Sequence, residues 1–162
     1  FSFTQELLSK AKERGLHNCL ETCGYAPTDK ILRIREHVDL FLYDYKESDR
    51  EKHIQFTGVD HALILKNLSE LDRAGGKIIL RCPIIPGLND REQHFLEIAR
   101  LANDLDHILE INLMLYHSFG TSKSKKLGKE YPLEGIKSVD KEQAYPWIEV
   151  IKGKTKVPVR IG

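Results

Sequence analysis

Helix-period and strand-period segments alternate along the whole chain, and this alternation limits the fold more than any single motif does. Residues 3–15 carry Leu7, Leu8 and Ala11 at helical spacing and stop at Gly15, a common helix terminator; 16–22 then reads as a strand. Pro27-Thr28-Asp29 opens a helix striped by Ile31, Leu32 and Ile34, followed by a strand over 38–45. Leu63, Ile64, Leu65, Leu68 and Leu71 give a helix over 59–74, closed by Gly75-Gly76 before a strand over 77–82. Asn89 with Glu92 resembles a capping box for a helix carrying Phe95, Ile98, Leu101 and Ala102. A strand over 109–116, a Gly- and Lys-rich loop, a helix near 141–152 and a short strand over 158–161 complete the order αβαβαβαβαβ. Such an order predicts parallel strands joined by right-handed crossovers, either as an open doubly wound sheet or as part of a barrel.

The strand ends favour a barrel wall. Val38-Asp-Leu-Phe-Leu-Tyr-Asp-Tyr-Lys46 is apolar in both parities until Asp44 and Lys46, which share a face with Leu40 and Leu42. Both faces of this strand are expected to be buried, as in parallel sheets. The other strands end in Glu21-Thr22, in Arg81 and in His117, so four strands each deliver a polar group at the carboxyl end. A barrel gathers ligands from several strands in this way, whereas an open sheet concentrates them at one switch point. No Gly-x-Gly-x-x-Gly or Gly-Lys-Ser/Thr is present, so dinucleotide and P-loop readings lack their phosphate cradle.

Composition excludes several classes. At 162 residues, with 41% apolar and 30% charged, the chain is one ordinary globular domain over 1–162. A formal net charge of +1 gives no footprint for nucleic acid or an anionic membrane, although 122–129 is locally basic. The longest apolar runs fall far short of the roughly 18 residues that span a bilayer, and no signal pattern opens the chain. Three cysteines, Cys19, Cys23 and Cys82, argue against a disulfide framework and for a reducing, cytosolic location. The chain starts at Phe1, directly before a helix, which suggests a piece of something longer.

Six segments together resemble one family. They are Leu20-Glu-Thr-Cys-Gly-Tyr-Ala26, Asp39-Leu-Phe-Leu-Tyr-Asp-Tyr-Lys46, Thr57-Gly58, Leu80-Arg-Cys-Pro-Ile-Ile-Pro-Gly87, Leu115-Tyr-His-Ser-Phe-Gly120 and Leu127-Gly-Lys-Glu-Tyr131. Their order and spacing resemble the radical S-adenosylmethionine activases of glycyl-radical enzymes, the pyruvate formate-lyase activating type. The resemblance implies an α/β fold, a partial parallel barrel like an opened TIM barrel, of which this chain would supply about five strands. It also implies two cofactors, S-adenosylmethionine and a [4Fe-4S] cluster. The reduced cluster cleaves S-adenosylmethionine, and the resulting 5′-deoxyadenosyl radical takes a hydrogen from a backbone glycine of a partner enzyme. The implied electron donor is a flavodoxin or ferredoxin.

The family's Cys-x3-Cys-x2-Cys loop and Gly-Gly-Glu-Pro strand end are missing here. Cys19-x3-Cys23 mimics half of the triad, but position 26 is Ala, and the pair falls in a strand. These cysteines read as wall residues, and the chain reads as the carboxyl-terminal two-thirds of such an enzyme, inactive and cluster-free by itself. With the first two barrel strands absent, the strand at 16–22 should have an unpaired edge and invite self-association.

By resemblance, Thr22 and Gly24 match a Thr-x-Gly that meets the cofactor; the alternative is a strand ending in an ordinary glycine turn. Cys23 stands where relatives carry Asn or Ser. Glu21 and Asp44, with the Leu42 carbonyl, match positions that hold a monovalent cation, with Glu21 a longer arm than the family's Asp. Lys46 fits a cationic clamp for the cofactor carboxylate or the incoming glycine loop, kept charged by Asp44. Arg81 shares the parity of Ile79 and should point inward as a carboxylate fork, or else form a salt bridge at the rim. His117 ends the parity of Leu109, Ile111, Leu113 and Leu115, where the family places a cofactor-contacting histidine. The segment 118–131 suits a mobile rim that grips the partner, or equally a solvated surface loop. Two other classes remain open. One is a non-catalytic barrel that binds a protein partner or S-adenosylmethionine; the other is an aldolase-like enzyme using Lys46 as a Schiff-base nucleophile, against which Asp44 speaks.

Overall fold

A computed structural model describes residues 1–118, 128 and 130–162. In chain order the elements are α1 (Ser2–Glu13), β1 (Cys19–Thr22), α2 (Thr28–Arg35), β2 (Leu40–Asp44), α3 (Arg50–Thr57), α4 (Ala62–Arg73), β3 (Ile78–Ile84), α5 (Glu92–Asn103), β4 (Ile108–Leu115), α6 (Lys141–Lys152) and β5 (Val159–Ile161). The five strands form one parallel sheet in the order β1-β2-β3-β4-β5. Sequential order without a reversal means that every crossover steps the same way. All right-handed crossovers then place their helices on a single face. That is a barrel wall, as the strand ends predict, and not a doubly wound sheet.

One face therefore holds the core. Phe41, Tyr43, Ile78, Leu80, Cys82, Ile111 and Leu113 pack against Ile64, Leu68, Leu71, Ile98, Ala99 and Ile151 of the helices. The opposite face of β2 and β3 is half-buried in strict alternation. This corrects the expectation that both faces of β2 are buried. The apolar residues Leu40 and Leu42 satisfy a burial pattern, but no helix of the described residues covers them.

The order also contains one helix more than the pattern suggests. α3 carries only Ile54 and Phe56 as large apolar residues, both exposed, so it shows no stripe. Its ends carry the available signal: Asp49 accepts the Lys52 N–H, and Gly58 takes the left-handed conformation at φ 79°. β3 runs two residues past its expected end because Pro83, although it brings no N–H, keeps its register with Met114. α5 begins at Glu92 without a side-chain cap, so Asn89 does not form the anticipated capping box. The β3–β4 register shifts beside Ile78/Ile79, skipping Leu109, which is 48% exposed. After that shift Ile111, Leu113 and Leu115 face the helices, while Glu110, Asn112 and Met114 face the open side. The parity argument for His117 is overturned by the same shift.

Among the described residues β1 pairs only with β2 and is an edge of the sheet, and Phe3, Leu7 and Leu16, which precede it in the chain, are exposed. No helix among the described residues is long and apolar enough to cross a membrane.

Candidate functional site

The open face carries a set of charged and polar side chains that runs across the sheet. Asp44, Arg81, Asn112 and Arg160 are register neighbours across β2, β3, β4 and β5. Parallel neighbours in register point the same way, so these four side chains form one polar line over an otherwise apolar wall. Ion pairs knit the line together. Lys46 Nζ lies 2.6 Å from Asp44 Oδ2, and Arg81 Nε lies 3.7 Å from Asp44 Oδ1. Arg81 also reaches across β2, its Nη1 2.5 Å from Glu21 Oε2. Glu110 accepts the Asn112 amide and pairs with Arg160 Nε at 3.0 Å.

Four of the residues singled out from the sequence thus meet: Glu21, Asp44, Lys46 and Arg81. Arg81 points to the open side as expected, although it sits mid-strand and not at a strand end. It lies between the two carboxylates to which a monovalent cation is assigned by resemblance. Each carboxylate already has a cationic partner there, so nothing in the geometry calls for a further ion.

Thr22 and Gly24 form the β1 tip but stand apart from the polar line. Thr22 is in register with Tyr43 on the helix-covered side, and its hydroxyl accepts the Gly24 N–H at 3.0 Å. Gly24 has φ 68°, and a Cβ there would come within 1.7 Å of the Tyr43 hydroxyl oxygen. Tyr43 itself donates to the Ile64 carbonyl at 2.7 Å. The buried Asn67 amide donates to the carbonyls of Gly24 and Ala26, at 2.7 Å each. Glycine is therefore required here by packing as well as by φ. His117 is exposed and lies two residues beyond β4. Of the 118–131 rim, residues 119–127 and 129 lie outside the described residues.

Sequence reasoning missed the supports behind the line. Asn89 donates to the carbonyls of Lys46 and Pro83, at 2.8 Å each, and accepts the Ile85 N–H at 2.7 Å. One buried amide thereby ties the tips of β2 and β3 together. Next to it Glu47 is fully buried and takes Arg91 at 2.7 and 3.1 Å and the Asp49 N–H at 2.9 Å. Burial raises the Glu47 pKa, but the Arg91 and Asp49 bonds outweigh it and leave the carboxyl below its usual range. His94, also fully buried, receives the Ser48 N–H at Nδ1 and is pushed down to about 4, chiefly by burial. These groups sit in polar stretches, 46–50 and 89–94, where nothing in the sequence marks a side chain as buried.

The cysteines do not form a cluster site. Cys19 is exposed at the start of β1, Cys23 lies just past the strand, and Cys82 is buried in the core. Burial pushes the Cys82 thiol up, away from thiolate chemistry. Among the described residues no group of three His, Cys, Asp or Glu side chains can hold a metal ion. The residues described therefore do not fit a [4Fe-4S] cluster. S-Adenosylmethionine fits better: Lys46 and Arg81 offer cationic donors to a carboxylate, and Asp44 offers an acceptor to an amine.

No protein-family model matches the chain. It is 39% identical over 132 residues to the choline trimethylamine-lyase activating enzyme of Oleidesulfovibrio alaskensis, covering 80% of this chain and 43% of that protein. It is 36% identical over 139 residues to the trans-4-hydroxy-L-proline dehydratase activating enzyme of Clostridioides difficile, covering 85% and 46%. Against the pyruvate formate-lyase-activating enzyme of Staphylococcus aureus it is 30% identical over 165 residues, covering 98% and 66%. The chain thus spans between about two-fifths and two-thirds of these relatives. The same fold occurs in a crystal structure of a domain of pyruvate-formate lyase-activating enzyme from Bacteroides vulgatus, with TM-score 0.81 at 23% identity over 99% of this chain and 90% of the other.

Proposed function

The chain belongs to the glycyl-radical enzyme activating family of radical S-adenosylmethionine fold, and from that premise we propose that it forms the cofactor- and partner-binding wall of an activase. In this reading the whole protein acts on a glycyl-radical enzyme such as pyruvate formate-lyase, in the cytoplasm, and draws electrons from a flavodoxin or ferredoxin. The observation that carries the reading is the polar line Lys46–Asp44–Arg81–Glu21 on the one face of a parallel sheet that the helices leave open.

The residues divide the work. Lys46 and Arg81 hold a carboxylate, and Asp44 keeps both cations oriented and accepts a hydrogen bond from an ammonium group. Asn89 fixes the Lys46 main chain, so the ammonium starts from a defined place. The Gly24 turn, braced from below by Tyr43 and from the side by Asn67, brings backbone to the rim without a side chain in the way. S-Adenosylmethionine, when bound, supplies the radical chemistry; the chain's own part is binding, orientation and exclusion of water.

The test is electron paramagnetic resonance on the whole protein, its cluster reconstituted and reduced, mixed anaerobically with S-adenosylmethionine and a glycyl-radical enzyme. A glycyl-radical signal on the partner, reduced at least tenfold by Asp44→Asn or Lys46→Met, supports the proposal. Saturable binding of S-adenosylmethionine without any radical signal would favour a binding protein instead. Borohydride trapping of a carbonyl compound on Lys46 would revive the Schiff-base reading.

A further inference from the structure

A hollow opens at the carboxyl end of the sheet, between the end of α3 and the β3–α5 connection, with a volume of about 510 Å³. Phe56, Pro83, Ile85, Leu88 and Leu133 make its wall, with Lys46 at the margin. Phe56 is 40% exposed, although phenylalanine is among the residues most often buried. The size is that of a small-ligand pocket.

Most polar side chains in this wall are engaged; the exposed Gln55, which also lines it, is the exception. The Asn89 amide makes three bonds to backbone, and Glu47 is engaged by Arg91 and the Asp49 N–H. The Thr57 hydroxyl donates to the His53 carbonyl at 2.7 Å, and the Tyr131 hydroxyl accepts from Tyr116 at 3.2 Å. A nucleobase or sugar entering here would lose hydration and recover few of its hydrogen bonds, since Gln55 and the Tyr131 O–H are the main groups left to it besides Lys46. An apolar side chain loses nothing of the kind. Lys46 adds a cation at the margin, because its ammonium carries three donors and one goes to Asp44. The hollow thus combines an apolar seat with one cation at its edge, which complements a side chain next to a main-chain carbonyl.

We propose that this hollow seats one large apolar side chain, leucine, methionine or phenylalanine, of the polypeptide segment that presents the reacting glycine, with Lys46 meeting a carbonyl of that segment. The inference rests on the activase reading and adds a specificity subsite to it. A polypeptide is favoured because the relatives are named as activators of other enzymes and because the hollow shares Lys46 with the polar line.

Fluorescein-labelled heptapeptides with a central glycine, identical except for Ser, Leu or Phe at each flanking position in turn, are titrated with the 162-residue chain and followed by anisotropy. At one flanking position the Leu or Phe peptide should bind at least tenfold tighter than the Ser peptide, as expected for burying most of such a side chain. Phe56→Asp, at an exposed position, should remove that preference, and the methyl resonances of Ile85 and Leu88 should shift on binding in the unsubstituted protein. Equal affinity for the Ser, Leu and Phe peptides, no binding at all, or a preference that survives Phe56→Asp would overturn the proposal. The two readings fail separately. Peptide binding that depends on Lys46 but ignores side-chain size removes the subsite and leaves the activase. A size preference without a glycyl-radical signal keeps the subsite and removes the activity.

Discussion

Along β2, Phe41, Tyr43 and Tyr45 are exposed by only 1%, 0% and 5%, whereas Leu40, Leu42 and Asp44, alternating with them on the same backbone, stay half-exposed. The buried set is held by dense packing against α2, α4 and α5, so it fixes where the strand lies. The half-exposed set inherits that position without contributing much to it. One parity therefore supplies rigidity and the other is left for binding. This division explains how a row of ion pairs, each worth little in water, can still present a defined shape.

Substitutions on the two faces should separate accordingly. Leu80→Ala, on the packed face, should cost about 2 to 5 kcal/mol in urea unfolding, whereas Leu42→Ala should cost under about 1.5 kcal/mol. Similar losses at both positions would break the comparison. Gly24→Ala joins an unfavourable φ to a clash with Tyr43 and should cost about 3 kcal/mol or more, with a lowered melting temperature as the readout.

The pH dependence should also arise from the packed side. His94, beside Glu47 and Arg91, has its folded pKa pushed down to about 4, so between pH 6.5 and 4 the unfolded chain binds a proton that the folded one refuses. Stability is then fully present above pH 6.5 and falls as the solution is acidified. Glu47, with its folded pKa lowered, adds stability above its unfolded pKa that is lost as pH falls through the folded value. The urea midpoint should accordingly drop from pH 7 to pH 5, and His94→Asn should flatten that slope. An unchanged slope would remove His94 as its source. Arg81→Met, on the open face, should shift stability by no more than about 1 kcal/mol while weakening S-adenosylmethionine binding at least tenfold. The exposed β1 edge should show itself as dimers in light scattering at high concentration, and a monodisperse monomer would count against that.

The pattern that was legible in the sequence was the pattern that burial writes. The five strands and their parallel order follow from runs such as Ile78-Ile79-Leu80, and the strand-end reading singled out Asp44, Lys46 and Arg81, whose side chains the structure brings together. What periodicity could not carry was register. A single shift beside Ile78 turned Ile111 and Leu113 toward the helices and brought Asn112 into line with Arg81. α3 escaped for a related reason: with Ile54 and Phe56 exposed, it buries too little apolar surface to write a stripe. Asn89 shows a third limit, since an asparagine before a glutamate fits a helix cap locally, yet its side chain binds backward to Pro83 and Ile85 and to Lys46, 43 residues away.

The claim that the open face is the ligand wall is tested most directly by following backbone amide resonances while S-adenosylmethionine is titrated into the 162-residue chain. The account predicts saturable shifts at Gly24, Asp44, Lys46, Arg81 and Asn112 and none along α4 or α5. Shifts confined to the helices, or none at all at saturating ligand with the fold intact, would contradict it.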